Sequence, residues 1–252
     1  MKIFDPEYIF YHIPKCGGTT LRHFLYKIFI NKYNDNQIYL PQAFPDDYER
    51  ICHYAGANAN LVNMEQYKHS LNLQKSLPSP PGYKVILCHV TRSIASKLVC
   101  NDSSDIKTMT VLRHRVHRLI SHYNHFIHEE DQKPHINELN KDTLAKLCQQ
   151  YGDLMCKYLI DGDSRDPETI YNAIDSIDYV YILEKLKLKK IQHDVATAFD
   201  ITFQDVKNIK VSNSNVRNSK NRTMPLVVDV MNELMRNTPD MLMYNYVMSK
   251  LY

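Results

Sequence analysis

The sequence predicts a three-layer α/β domain, a mainly parallel sheet flanked by helices. Three observations carry this. Short apolar runs rich in β-branched and aromatic residues alternate with stretches of helical periodicity. The runs are nearly continuous rather than alternating, as in strands covered on both faces. The first run leads directly into a glycine pair and an amphipathic stretch, a P-loop-like order of strand, loop and helix. At 252 residues the chain is long enough to bury one sizeable core, so one domain over 1–252 is expected.

Tyr8–Ile13 reads as the first strand. After Pro14–Thr20, the residues Leu21, Phe24, Leu25, Ile28 and Phe29 form one apolar stripe, a helix started by Thr19 or Thr20. Residues 31–84 read as a variable insert, with a short strand at Gln37–Leu40, a helix around Asp46–Tyr54 and a stiff proline-rich end. Lys84–Val90 and Lys107–Arg113 are strand-like by β-branched content. The second opens a helix with Val116, Leu119, Ile120, Tyr123 and Ile127 on one face and Arg118, Ser121, His122 and His125 on another. One long helix is expected from about Asp142 to Ile160, and another from Asp166 with Pro167 at its first position. Tyr179–Leu183 is a strand, followed by a Lys-rich helix to Phe199. Lys207–Arg222 reads as a basic loop, and Pro225–Leu251 as one or two Met-rich helices.

The formal net charge is +3, too small for bulk charge to drive nucleic-acid or membrane binding, so any anion recognition is local. No run approaches the roughly 18 consecutive apolar residues of a membrane-spanning helix, and nothing reads as a secretory signal. The expectation is a cytoplasmic or otherwise soluble protein. Six scattered cysteines without a C-x-x-C pair read as reduced thiols.

A glycine pair between a buried strand and a helix start lets the backbone approach a ligand and turns free N–H groups and the positive helix end toward an anion. Gly17 and Gly18 supply that here, with Lys15 as a point charge and the Thr19 and Thr20 hydroxyls as further donors. Lys15 precedes the glycines, whereas in a Walker A loop the Lys follows them, so a Mg-dependent NTPase is disfavoured. The histidines His114, His117, His122, His125 and His128 lack the four-residue spacing with a nearby carboxylate that zinc enzymes use on a helix, and no metal is expected.

Tyr11-His-Ile-Pro-Lys-Cys-Gly-Gly-Thr-Thr-Leu21 closely resembles the 5′-phosphosulfate loop of the sulfotransferases, particularly the carbohydrate 2-O-sulfotransferase-like branch. Thr110–Arg113 followed by Arg118–Tyr123 is similar to that branch's 3′-phosphate motif, in which a strand-end Arg and a Ser eight residues later hold the nucleotide, the places of Arg113 and Ser121. Cys88-His-Val90 resembles the segment that carries the family's catalytic base, here His89, and Asp178–Glu184 resembles its next strand and terminal Glu. The chain departs from the family where His114-Arg115 replaces Asp-Pro and where Cys88 replaces the Gly before the base.

The resemblance implies the sulfotransferase fold and transfer of a sulfuryl group from 3′-phosphoadenosine 5′-phosphosulfate (PAPS) to an acceptor hydroxyl, preferably on a glycan, leaving adenosine 3′,5′-bisphosphate. Lys15 and His89 would be catalytic, and Lys15, Cys16, Gly17, Gly18, Thr19, Thr20, Arg113, Ser121, Arg217 and Lys220 would contact the cofactor. The last two stand in the basic loop, whose bland reading is a solvated surface segment. Cys16 reads first as a loop-packing residue and second as a thiolate at a helix start. The terminal methionines read as core or as a dimer face, so an oligomer is compatible. Two rival functions remain open: a non-catalytic nucleotide- or glycan-binding protein of the same fold, and a phosphoryl-transfer enzyme.

Overall fold

The computed structural model describes residues 6–34, 37–39, 84–88, 91–92, 95–96, 105–124, 133–160, 166–207, 209 and 224–252. The chain forms two compact units interleaved in sequence. The first takes Met1–His12, Leu21–Thr110 and Lys187–Val211; the second takes Ile13–Thr20, Val111–Leu186 and Ser212–Tyr252.

The first unit is built on parallel strands. β1 (Tyr8–Tyr11) pairs on one side with β3 (Val85–Cys88), Tyr8 opposite Val85, and on the other with β4 (Lys107–Leu112), Tyr8 opposite Lys107. β2 (Ile38–Tyr39) pairs in parallel with β3, giving the order β2-β3-β1-β4. All four residues of β1 are buried, which is why the run shows no polar alternation. Helix α1 (Gly18–Phe29) buries the predicted stripe of Leu21, Phe24, Leu25, Ile28 and Phe29.

Helix α6 (Leu188–Phe199) brings Phe199 to within 5.2 Å of the Tyr8 ring and 5.1 Å of the Phe29 ring. Asp200, left-handed at φ 50°, stops α6, and the Lys32 ammonium donates to the Phe199 carbonyl at 2.9 Å, a cation at the negative helix end. A further short helix, α7 (Phe203–Lys207), is absent from the sequence reading; the Gln192 amide donates to its Val206 carbonyl at 2.9 Å.

The second unit holds the loop Ile13–Thr20, the last two residues of β4, β5 (Tyr179–Ile182), and α2 (Arg115–His122), which follows β4 directly. Val116, Leu119, Ile120 and Tyr123 enter a core with Leu144 and Leu147 of α3 (Lys141–Tyr151) and with Met231 and Met235 from α8 (Pro225–Leu234) and its end. The opposite face of α2 is no water face, because Arg118 and Ser121 are buried too. Met243 of α9 (Pro239–Leu251) is also buried, which places these methionines in the core.

The long helix expected over Asp142–Ile160 is broken in two, α3 and α4 (Leu154–Leu159). The break falls at Gly152, where an added Cβ would collide with the Cys148 carbonyl oxygen. The packing periodicity runs through it because Leu147, Met155 and Leu159 are all buried. Helix α5 (Pro167–Asp175) starts as predicted, with Asp166 accepting from Thr169 N–H at 2.8 Å.

Asn140 caps α3 by accepting from Thr143 N–H at 2.9 Å. Asn140→Ala therefore lowers stability by about 1 kcal/mol, read as a shift of the urea midpoint at constant slope; an unchanged midpoint would remove the cap from the account.

Candidate anion-binding site

The loop between β1 and α1 is shaped by its own sequence. Cys16 N–H donates to the Ile13 carbonyl at 3.3 Å, closing a four-residue turn with Pro14 at its second position and Lys15 at its third. Proline suits the second position of such a turn, and the third needs a positive φ, which Lys15 adopts at 64°. A non-glycine residue there costs about 1–2 kcal/mol. Gly17 takes φ 80°, and an added Cβ would lie 2.5 Å from the Leu183 methyl Cδ1. Gly17 is thus fixed both by backbone conformation and by close approach of the residue after β5. Gly18 opens α1, whose first turn holds no acidic residue, so nothing in its own sequence neutralises the positive helix end.

The loop is pinned from the end of β4. The Arg113 guanidinium donates through Nη1 to the Lys15 carbonyl at 3.0 Å, across 98 positions of sequence. Half-buried Arg113 therefore meets the backbone of half-buried Lys15. Ser121 is buried on α2, two turns beyond Arg113. Cys16 is 1 % exposed, and burial pushes its thiol up to about 12 despite the charges of Arg118 and Arg113. Its side chain packs inside the loop, where burial favours the neutral thiol. Thr20 lies in the first turn of α1. The Thr19 side chain, His89, Arg217 and Lys220 fall outside the described residues.

Two constellations escape sequence reasoning. Glu184, just after β5, accepts the His114 backbone N–H at 3.1 Å and so serves α2 as a capping carboxylate from a distant segment. The His117 Nδ1 stands 3.6 Å from the same oxygen, and the His114 ring meets Tyr244 edge-on at 5.4 Å. Burial alone would raise the Glu184 carboxyl, but His117, backbone N–H groups and Arg113 together hold it below its usual range. His114 is pushed down to about 4 by burial, then by His117 and Arg115, so its ring is neutral near pH 7. The second constellation is the fully buried pair Arg118 and Asp240, Nε to Oδ2 at 3.8 Å. Asp240 caps α4 by accepting from Met155 N–H at 3.1 Å and Cys156 N–H at 2.8 Å. Burial raises its carboxyl to about 6, against the pull of Arg118. Asp240 follows a Pro at a helix start and reads as a solvated first-turn acid; only its burial reveals the role.

Among the described residues no group of three or more His, Cys, Asp or Glu side chains is placed to hold a metal ion. None of their helices is long and apolar enough to cross a membrane.

No protein-family model matches the chain, and no curated protein matches it. Among the solved structures similar to it are two that match nearly the whole chain. One is a sulfotransferase from Alicyclobacillus acidocaldarius, at 14 % identity over 95 % of this chain and 96 % of that chain, with a TM-score of 0.45. The other is retinol dehydratase in complex with retinol and PAP, at 14 % identity over 96 % of this chain and 82 % of that chain, with a TM-score of 0.42.

Gly17→Ala is expected to cost about 1–3 kcal/mol, and the cost shrinks in a Leu183→Ala background, where the clash is gone and the strained φ remains. Equal costs in both backgrounds by urea unfolding would refute the Leu183 contact. The pH dependence has a definite sign. His114 is depressed from 6.5 to about 4, so its contribution is full above 6.5 and is lost as the pH falls toward 4. Asp240 is raised from 3.8 to about 6, so its contribution is full below 3.8 and is lost as the pH rises through 6. On moving from pH 7.5 to pH 5, His114→Gln therefore loses less melting temperature than the wild type; an equal loss would clear His114.

Proposed function

We propose that this chain is a PAPS-dependent sulfotransferase acting on an acceptor hydroxyl, with a carbohydrate as the acceptor class. The observation that carries the reading is the meeting of Arg113 with the Lys15 carbonyl, which joins the two motif segments within one unit. The loop's chemistry fits the nucleotide's sulfate-bearing end: a cation at Lys15 and a helix start without an acid of its own. When bound, PAPS supplies an activated sulfuryl group and a phosphate leaving group.

The chain's residues then have these parts. Gly17, Gly18, Thr19 and Thr20 offer N–H and hydroxyl donors to the anion. Lys15 places positive charge where negative charge develops, the electrostatic contribution that is usually largest in such transfers. Arg113 and Ser121 hold the far phosphate, and the basic segment with Arg217 and Lys220 adds contacts to the nucleotide. His89 accepts the acceptor's proton, for which an imidazole neutral near pH 7 is suited. No step calls for a metal ion.

Titration calorimetry with adenosine 3′,5′-bisphosphate should give saturable heat, weakened about tenfold or more in Lys15→Ala and in Arg113→Ala, each of which removes a charge-assisted contact. With labelled PAPS and a glycan panel, His89→Ala should lose transfer while keeping nucleotide affinity. Absence of binding in the wild type would sink the reading, and binding without transfer to any acceptor would favour a non-catalytic binding protein.

A further inference from the structure

Arg118 and Asp240 are both 0 % exposed. Placing two charges in the interior gains little stability, since well-packed apolar residues of similar volume often do as well or better. What the pair supplies is direction. The planar Arg118 guanidinium donates through Nη2 to the Tyr151 carbonyl at the end of α3 and faces Asp240 with Nε. Both Asp240 oxygens are engaged by the first N–H groups of α4. One residue in the middle of α2 is thereby tied to the ends of three other helices, α3, α4 and α9.

The same pair acts on the loop. It does so through the chain: Arg113, which holds the Lys15 carbonyl at 3.0 Å, leads into α2 just ahead of Arg118. Ser121 lies one turn beyond Arg118 on the same face of α2, and Arg113 lies five residues before it. Among the described residues Arg118 Nε and Nη1 have no hydrogen-bond acceptor, so the guanidinium's orientation is set by Tyr151 and the Asp240 charge alone.

We infer that the Arg118–Asp240 pair is a positioning element that holds α2 in register against the Pro14–Thr20 loop, and through Arg113 and Ser121 sets the grip of that loop on a phosphate-bearing nucleotide. The nucleotide half rests on the function proposed above; the loop half stands without it.

The test uses the full chain, with Arg118→Met/Asp240→Leu as a double variant and Arg118→Lys as the conservative one. Three quantities are read: the urea midpoint, the alkylation rate of Cys16 by N-ethylmaleimide from peptide mapping, and the affinity for adenosine 3′,5′-bisphosphate. The double variant should still fold cooperatively, with a urea midpoint below the wild type because Met155 and Cys156 N–H lose their cap and the Tyr151 carbonyl its donor. Its Cys16 should be alkylated about tenfold faster or more, through local opening of the loop, and its nucleotide affinity should fall by a similar factor. Arg118→Lys, which keeps the charge and loses the planar fork, should fall between; it decides the matter if the double variant does not fold. Wild-type Cys16 protection in a folded variant would overturn the inference. Faster alkylation, with a wild type that binds no nucleotide, would uphold the positioning role and overturn the proposed function instead.

Discussion

One contact governs the organisation of the candidate site: a guanidinium at the end of β4 bonded to the carbonyl of a residue in the left-handed region. Left to its own preferences, a lysine avoids that backbone conformation. It persists because the turn is held from several sides. Pro14 fixes the preceding φ, Cys16 closes the turn and is buried, Leu183 sits where Gly17 lacks a side chain, and Arg113 holds the carbonyl. The result is a loop with its lysine placed by the surrounding structure rather than by local propensity.

The electrostatic arrangement around that loop is graded by depth. Near the surface, Glu184 is kept ionised by His117, backbone donors and Arg113, and it occupies the start of α2. Deeper down, Asp240 does the same for α4 while balancing Arg118. Both carboxylates cap helices to which they do not belong in sequence. Like α1, these two helices have no acid of their own in the first turn, and each receives its carboxylate from a distant segment.

Much of this was legible in the sequence because it depends on local pattern. The order of β1, loop and α1, the strand before Arg113, and the Asp166–Pro167 helix start all follow from apolar periodicity and capping chemistry. The break at Gly152 was not, because apolar spacing continues across it and only a steric limit against Cys148 marks it. The buried polar face of α2 was not, because Arg118 and Ser121 on a helix normally mean water. Asp240 was hidden for the same reason: its identity is ordinary, and its partners lie 84 and 85 positions away. Resemblance led to Lys15, Arg113 and Ser121, and to Glu184 as a strand-end residue; its capping role emerged from tertiary contact.

The 98-residue separation between Lys15 and Arg113 also bears on how the chain reaches its native state. Contacts between distant positions form late, because the entropy of closing the intervening chain must be met first. During synthesis, the first strand and the hydrophobic stripe of α1 leave the ribosome long before Arg113 does, so the early polypeptide holds the glycine turn without its clasp. Maturation of the loop thus waits on the arrival of β4, and its packing against Leu183 waits longer still.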